Sequence, residues 1–148
     1  MNSKNNIQNL FISMLEKVSN GKMNILDFGG DMVFYRGEIH MIKRIGDQEG
    51  IYSSELAELM GVTRAVVHKT INKLEKRGLI YRIVDKEDKK RKKMYLTDKG
   101  KKAYQFHEEY HRENDAEFIK FISSLNSDEE KLIEEFLKQA KNIVDKHF

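Results

Sequence analysis

Residues 53–97 read SSELAELMGVTRAVVHKTINKLEKRGLIYRIVDKEDKKRKKMYLT, and their order decides the fold. Ser53 is placed to cap a short helix that Gly61 ends, with Leu56, Ala57 and Met60 turned inward. Thr63 is placed to cap the next helix, which runs to Arg77 and stops at Gly78; Val67, Thr70, Ile71 and Leu74 recur at helical spacing as its buried stripe. Ile80–Val84 and Met94–Leu96 are short and rich in β-branched or aromatic residues. Between them every residue from Asp85 to Lys93 is charged, which predicts a β-hairpin with a long basic tip.

Helices are expected on both sides. Upstream, Ile7, Leu10, Phe11, Met14, Leu15 and Val18 form a stripe that Asn20-Gly21 ends. Lys22 to Asp31, containing Gly29-Gly30, reads as an irregular loop, and a helix follows from about Phe34 to Ile45. Downstream, Thr97 opens a long helix through about Leu125. Ser127-Asp128-Glu129-Glu130 has the spacing of a capping box for a last helix bearing Leu132, Ile133, Phe136, Leu137, Ala140 and Val144. The expected class is mainly α with a small β-wing. With no repeat and no linker, residues 1–148 read as a single domain.

Charge is unevenly spread. Residues 62–107 carry a net +10 and residues 108–148 a net −5, although the whole chain is only +3. A basic middle beside an acidic tail suits a polyanionic partner, while lysine-rich faces are also common as plain solvated surface. There is no cysteine, so disulfides, thiolate metal ligands and a cysteine nucleophile are excluded. Phosphate-binding Gly-x-x-x-x-Gly-Lys, His-Glu-x-x-His and nucleophile-elbow motifs are absent, so no enzyme is expected. No apolar run reaches membrane-spanning length, and the polar start from Met1 to Gln8 is unlike a signal peptide; the expectation is a cytoplasmic protein without a membrane partner.

Short helix, glycine turn, capped basic helix and charged hairpin follow one another in the order of a winged helix-turn-helix. Such a helix enters the DNA major groove with its N-terminal half against base edges. Here that half offers Thr63, Arg64, Ala65, His68 and Lys69, with Lys73 further along. Arg64 can pair with guanine, and His68 or Lys69 can touch a base or a phosphate. Ser53 and Ser54 fall where the preceding helix meets the sugar-phosphate backbone. Lys89, Lys90, Arg91 and Lys92 occupy the hairpin tip, and Arg91 is the best candidate for a narrow minor groove. A rival reading is an interaction or architectural module that uses the winged helix for protein contacts or for DNA without sequence preference, although the basic wing speaks against purely protein partners.

Gly61-Val62-Thr63 through Leu74-Glu75-Lys76-Arg77-Gly78-Leu79-Ile80, then Asp88-Lys89-Lys90 and Leu96-Thr97-Asp98-Lys99-Gly100, resembles the MarR family of regulators across roughly residues 38–104. Lys89 and Lys90 stand where that pattern has wing arginines, and Ala65-Val66-Val67-His68 stands where it has a Ser/Thr-rich stretch. The resemblance implies an effector-responsive repressor that binds double-stranded DNA at a pseudopalindromic operator. It implies a homodimer joined through terminal segments, about 1–33 and 104–148, around a DNA-binding part of about 34–103. The two apolar terminal helices agree, since unpaired they would leave large apolar faces exposed.

His40, His107 and His111 stand out. His107 and His111 are one turn apart on one helix face, which Tyr104 shares. Within the family, these positions are similar to two effector arrangements. Zinc-sensing members pair an early histidine with a later His-x-x-x-His. FabT-like repressors of fatty-acid synthesis, closest in motif, look similar around Glu38-Ile39-His40-Met41-Ile42 and Tyr104–His111; their implied effector is an acyl chain carried by acyl carrier protein. Met23, Ile25, Leu26, Phe28, Met32 and Phe34 can line a tunnel for such a chain. The third reading is a buried network in which Glu38 pairs with an imidazole. Glu38, His40, Tyr104, His107 and His111 are thus the candidate effector residues, with His40, His107 and His111 the candidate zinc ligands. His68 is read as a DNA-facing residue and His147 as part of a solvent-exposed tail.

Overall fold

A computed structural model describes residues 3–20 and 25–147. Gly21 and Met23 lie outside these residues, as does the side chain of His147. The chain runs α1 (Ser3–Ser19), β1 (Ile25–Asp27), β2 (Val33–Tyr35), α2 (Arg36–Asp47), β3 (Ile51–Tyr52), α3 (Ser53–Met60), α4 (Arg64–Lys76), β4 (Ile80–Val84), β5 (Lys92–Leu96), α5 (Asp98–Asn114), α6 (Ala116–Ser123) and α7 (Ser127–His147). It forms two compact units, Met1–His107 and Glu108–Phe148.

The first unit holds the winged helix. Its core joins Ile39, Ile42 and Ile45 of α2, Leu56 of α3, Val67, Ile71 and Leu74 of α4, and Met94 and Leu96 of β5. Each such side chain, fully buried, contributes about 1.5–3 kcal/mol. Thr63 caps α4 as expected, its hydroxyl accepting from Val66 N at 3.2 Å. Gly61 (φ 63°) turns α3 into α4 and Gly78 (φ 73°) turns α4 into β4, conformations that a side chain would strain. The wing is an antiparallel sheet in the order β3-β5-β4. Thr97 closes the unit: its hydroxyl donates to Gly78 O at 2.6 Å and accepts from Gly100 N at 3.1 Å, so it anchors the wing while opening α5.

Several expectations shift. Residues 25–31 of the stretch read as an irregular loop supply β1 and the turn of a hairpin. Phe34, read as the start of a helix, lies in β2 opposite Leu26 of β1, both buried. Asp27 accepts from Gly29 N at 2.8 Å and so makes the turn. Ser53 is the first residue of α3 and not its cap; Tyr52 precedes it, and Glu55 reaches back to accept from Tyr52 N at 3.2 Å.

In the second unit, the helix expected to run unbroken to Leu125 is interrupted at Asp115, between α5 and α6. Asn114 competes with the helical backbone there, its side-chain amide donating to Tyr110 O at 2.7 Å. The cap of α7 is Asn126 and not Ser127. Asn126 Oδ1 accepts from Asp128 N and Glu129 N, both at 3.0 Å, and Glu129 accepts from Asn126 N at 3.1 Å. Phe118, Ile119, Phe121 and Ile122 of α6 and Leu132, Phe136 and Leu137 of α7 are exposed, as in the first unit are Ile7, Leu10, Met14 and Val18 of α1. No helix among the described residues is long and apolar enough to cross a membrane.

Candidate nucleic-acid interface

Burial of Val67, Ile71 and Leu74 turns the opposite face of α4 to solvent. Arg64, Ala65, His68, Lys69 and Asn72 are all exposed there. The face borders a groove of about 880 Å³, with Ser53 and Ser54 of α3 on one side and Lys90, Arg91 and Lys92 of the wing on the other. Of the twelve residues assigned to DNA by sequence, Ser53, Ser54, Arg64, Ala65, His68, Lys90, Arg91 and Lys92 line this groove, and Thr63, Lys69, Lys73 and Lys89 are exposed outside its lining.

Lys73 is engaged elsewhere. Its ammonium lies 2.5 Å from Glu38 Oε1 and 4.9 Å from the centre of the Tyr35 ring. Arg77 lies alongside, 3.4 Å from Glu38 Oε2 and donating to the carbonyls of Asp31 (3.0 Å) and Val33 (2.8 Å). Glu38 also accepts from Tyr35 N at 3.0 Å, capping α2. The C-terminal half of α4 is thereby fastened to α2 and to the β1–β2 hairpin.

The wing has its own fastening. Asp88 Oδ1 accepts from Lys90 N at 3.1 Å, which makes the tip a turn and leaves Lys89 and Lys90 exposed. Arg91 is not at the tip: its guanidinium stacks on Tyr52 at 3.5 Å from the ring centre and reaches Ser54 Oγ at 3.4 Å. The Tyr52 hydroxyl donates to buried Asp85. That bond holds the Asp85 carboxyl below its usual range, helped by the amide of Glu87, and raises the Tyr52 phenol. Tyr52, Asn72 and Arg82, which donates to Asn72 Oδ1 at 3.0 Å, were not among the sequence-derived candidates. Asn72 had a legible signal, lying four residues after His68 and eight after Arg64 on the same helical face.

Among the effector candidates, His40 of α2 and His107 of α5 meet within the first unit. Their ring centres are 5.6 Å apart and each offers a nitrogen within 4.8 Å of the other's. His107 is buried. Glu38 belongs to the α4 network instead: it is two residues from His40 on α2, hence on a different face. Tyr104 packs toward the end of α2, donating to Asp47 at 2.6 Å with Lys43 5.4 Å from its ring centre. His111 follows His107 by one turn of α5, with Nδ1 2.7 Å from Asp115 Oδ2. Of the residues assigned to an acyl tunnel, Leu26, Met32 and Phe34 are core and Ile25 is exposed; Phe28 stacks on Phe106 at 5.9 Å.

A capped, outward-facing helix preceded by a short helix and flanked by a basic three-stranded wing defines a winged helix-turn-helix DNA-binding protein. The MarR family profile matches residues 34–92. The chain is 30% identical over 132 residues to an uncharacterized HTH-type transcriptional regulator, YybA, of Bacillus subtilis strain 168, covering 89% of this chain and 82% of that one. Among solved structures, it is similar to Streptococcus pneumoniae FabT in complex with DNA, with TM-score 0.68 and 22% identity over 97% of this chain and 98% of that one. It is also similar to ZitR, a zinc-responsive MarR family member of Lactococcus lactis, with TM-score 0.73 and 18% identity over 95% and 98%. The chain belongs to the MarR family of winged-helix, DNA-binding transcriptional regulators.

Proposed function

We propose that this regulator is a homodimeric repressor that reads a pseudopalindromic operator with one winged helix per half-site. One observation carries the DNA reading: the N-terminal half of α4 is capped and exposed, with no ion pair to the core among the described residues, beside a basic wing. Arg64, His68 and Lys69 meet base edges, Ser53 and Ser54 meet the backbone, and Lys89 and Lys90 follow the adjacent groove. Dimers and repressors are typical of the family. The exposed apolar residues of α1 in the first unit, and those of α6 and α7 in the second, are faces that a second copy would cover. Such a protein works beside the chromosome, in keeping with a cytoplasmic place. The test is fluorescence anisotropy with a duplex from the protein's own promoter region, at several salt concentrations, against random DNA. Preference for the promoter duplex, weakening steeply with salt, is expected; equal affinity for both refutes the reading.

A second reading concerns the effector. The donors fit a borderline divalent cation: His40 and His107 each offer a nitrogen within 4.8 Å of the other's, and His111 follows on the same helix. Asp115 at His111 Nδ1 is the kind of partner that fixes a ligating imidazole and leaves Nε2 for metal. His40 and His107 would hold the ion, which would supply a rigid tie between α2 and α5. The resemblance to a protein described as zinc-responsive favours this choice. The acyl-chain reading, with acyl carrier protein as donor, has less support because its tunnel residues Leu26, Met32 and Phe34 are core. Native mass spectrometry with zinc alone should find one ion per protomer, lost in His107→Ala. Native protein that retains no zinc refutes the metal reading.

A further inference from the structure

We infer that Asn72 is a specificity-determining residue that reads guanine through a single amide donor, its orientation set by Arg82. This rests on the DNA reading proposed above. Asn72 lies on the exposed face of α4 and borders the groove with Arg64 and His68, at successive intervals of four residues. Free asparagine reads adenine with both ends of its amide, the oxygen accepting from N6 and the nitrogen donating to N7. Here the oxygen is taken. Arg82 Nη2 donates to Asn72 Oδ1 at 3.0 Å, and the same Nη2 lies 2.5 Å from Glu75 Oε2, which fixes the guanidinium against α4.

A guanidinium has no acceptor, so whichever way the amide is drawn, its oxygen must face Arg82. The other end, Nδ2, is left as a donor. A donor-only group favours guanine, whose N7 and O6 both accept, over adenine, whose N6 amino group opposes it. The rise of an α-helix puts Asn72 about 12 Å beyond Arg64, equivalent to between three and four base pairs at about 3.4 Å each. Arg82 touches no base in this scheme and acts as a positioning residue. It comes from β4, so the wing sets the register of an amide on the reading helix.

The experiment is selection from a random duplex library by the full-length protein and three variants, each checked for an intact helical melt. The native protein is expected to select guanine at one position three to four base pairs from the Arg64 position. Asn72→Ala should relax that preference about 5- to 10-fold and leave the other positions unchanged. Arg82→Lys, which still donates to Oδ1, should keep guanine. Arg82→Met frees the amide and should admit adenine at that position. An unchanged motif for Asn72→Ala overturns the assignment, as does an equal loss on all sequences, the mark of a phosphate contact. If Arg82→Met fails to fold, Asn72→Ala and Arg82→Lys still decide. A native protein that selects no motif refutes the proposed DNA reading itself, a result distinct from failure of the Asn72 assignment.

Discussion

Glu38→Gln tests whether Lys73 is withheld from DNA. Glu38 is buried, and its carboxylate meets Lys73 at 2.5 Å and Arg77 at 3.4 Å while capping α2. Glutamine keeps the size and still accepts from Tyr35 N, but its charge is gone. Arg77 has other partners in two carbonyls and the Phe34 ring, 4.6 Å away, and stays in place. Lys73 keeps only the Tyr35 ring contact among the described interactions, and its side chain is 51% exposed. Because that partner is half in water, the expected loss of stability is modest, about 1–2 kcal/mol. The larger effect is on DNA. Each additional phosphate neutralised steepens the dependence of log K on log salt by about 0.9, and two protomers on one duplex double this. Anisotropy titrations with a nonspecific duplex between about 50 and 200 mM salt resolve such a change. In the native protein Lys73→Ala should leave the slope alone, because the ammonium is already paired. In Glu38→Gln the slope should steepen by about 0.9 per protomer, and adding Lys73→Ala should reverse it. A native slope that falls by that amount on Lys73→Ala shows that Lys73 leaves Glu38 for DNA, and the reasoning is wrong. An unchanged slope in Glu38→Gln has the same force.

Other perturbations separate the remaining contacts. Tyr52→Phe removes the hydroxyl that holds the Asp85 carboxyl below the usual carboxylate range. A depressed carboxyl stabilises above its unfolded pKa, and that contribution is lost as pH falls through the folded one. The melting temperature of Tyr52→Phe should therefore lie below native at neutral pH, with the gap closing in acid; a constant gap excludes the Asp85 bond as its cause. At Gly100 a Cβ would collide with the Leu79 carbonyl, whereas at Gly46 it would meet the Tyr104 ring. Backbone yields less than a side chain, so Gly100→Ala should cost about 1–3 kcal/mol in denaturant melts and more than Gly46→Ala; the reverse order would contradict the close approach of α5. Leu137 is 58% exposed on α7, and Leu137→Glu should convert a sedimenting dimer to monomer; an unchanged sedimentation coefficient moves the interface elsewhere.

What could be read in advance follows from range. The Thr63 cap and the Val67, Ile71 and Leu74 positions of the stripe are local and periodic and appear where the pattern puts them. Thr70, by contrast, is only half-buried, and the basic tip is shorter than the charge run, since Arg91 stacks on Tyr52 and Lys92 begins β5. The β1–β2 hairpin was invisible because its strands have three residues each, too few for alternation to register. The last cap was misplaced by one residue because Asn126-x-x-Glu129 and Ser127-x-x-Glu130 satisfy the same rule. The site divides in the same way. Exposure of Arg64, His68 and Lys69 follows from helical period. The pairing of Lys73 with Glu38, of Tyr52 with Asp85 and of Asn72 with Arg82 depends on tertiary placement, which no local pattern encodes.

Those pairings share a consequence for α4. Its C-terminal half is held by Glu38 from α2, by the hairpin carbonyls through Arg77 and by Arg82 from β4, while its N-terminal half depends on a Thr63 cap and an apolar stripe. Polar partners therefore set the direction of the reading helix from the end beyond Arg64, His68 and Lys69, where Asn72 is itself held by Arg82. Glu38 and His40 are two residues apart on one helix, so a displacement of α2 that reaches His40 must also carry Glu38. Such a displacement would load the Glu38 contacts to Lys73 and Arg77 while leaving the Thr63 cap of α4 untouched. A helix steered from its far end can change its fit to a groove while Arg64, His68 and Lys69 keep their local structure.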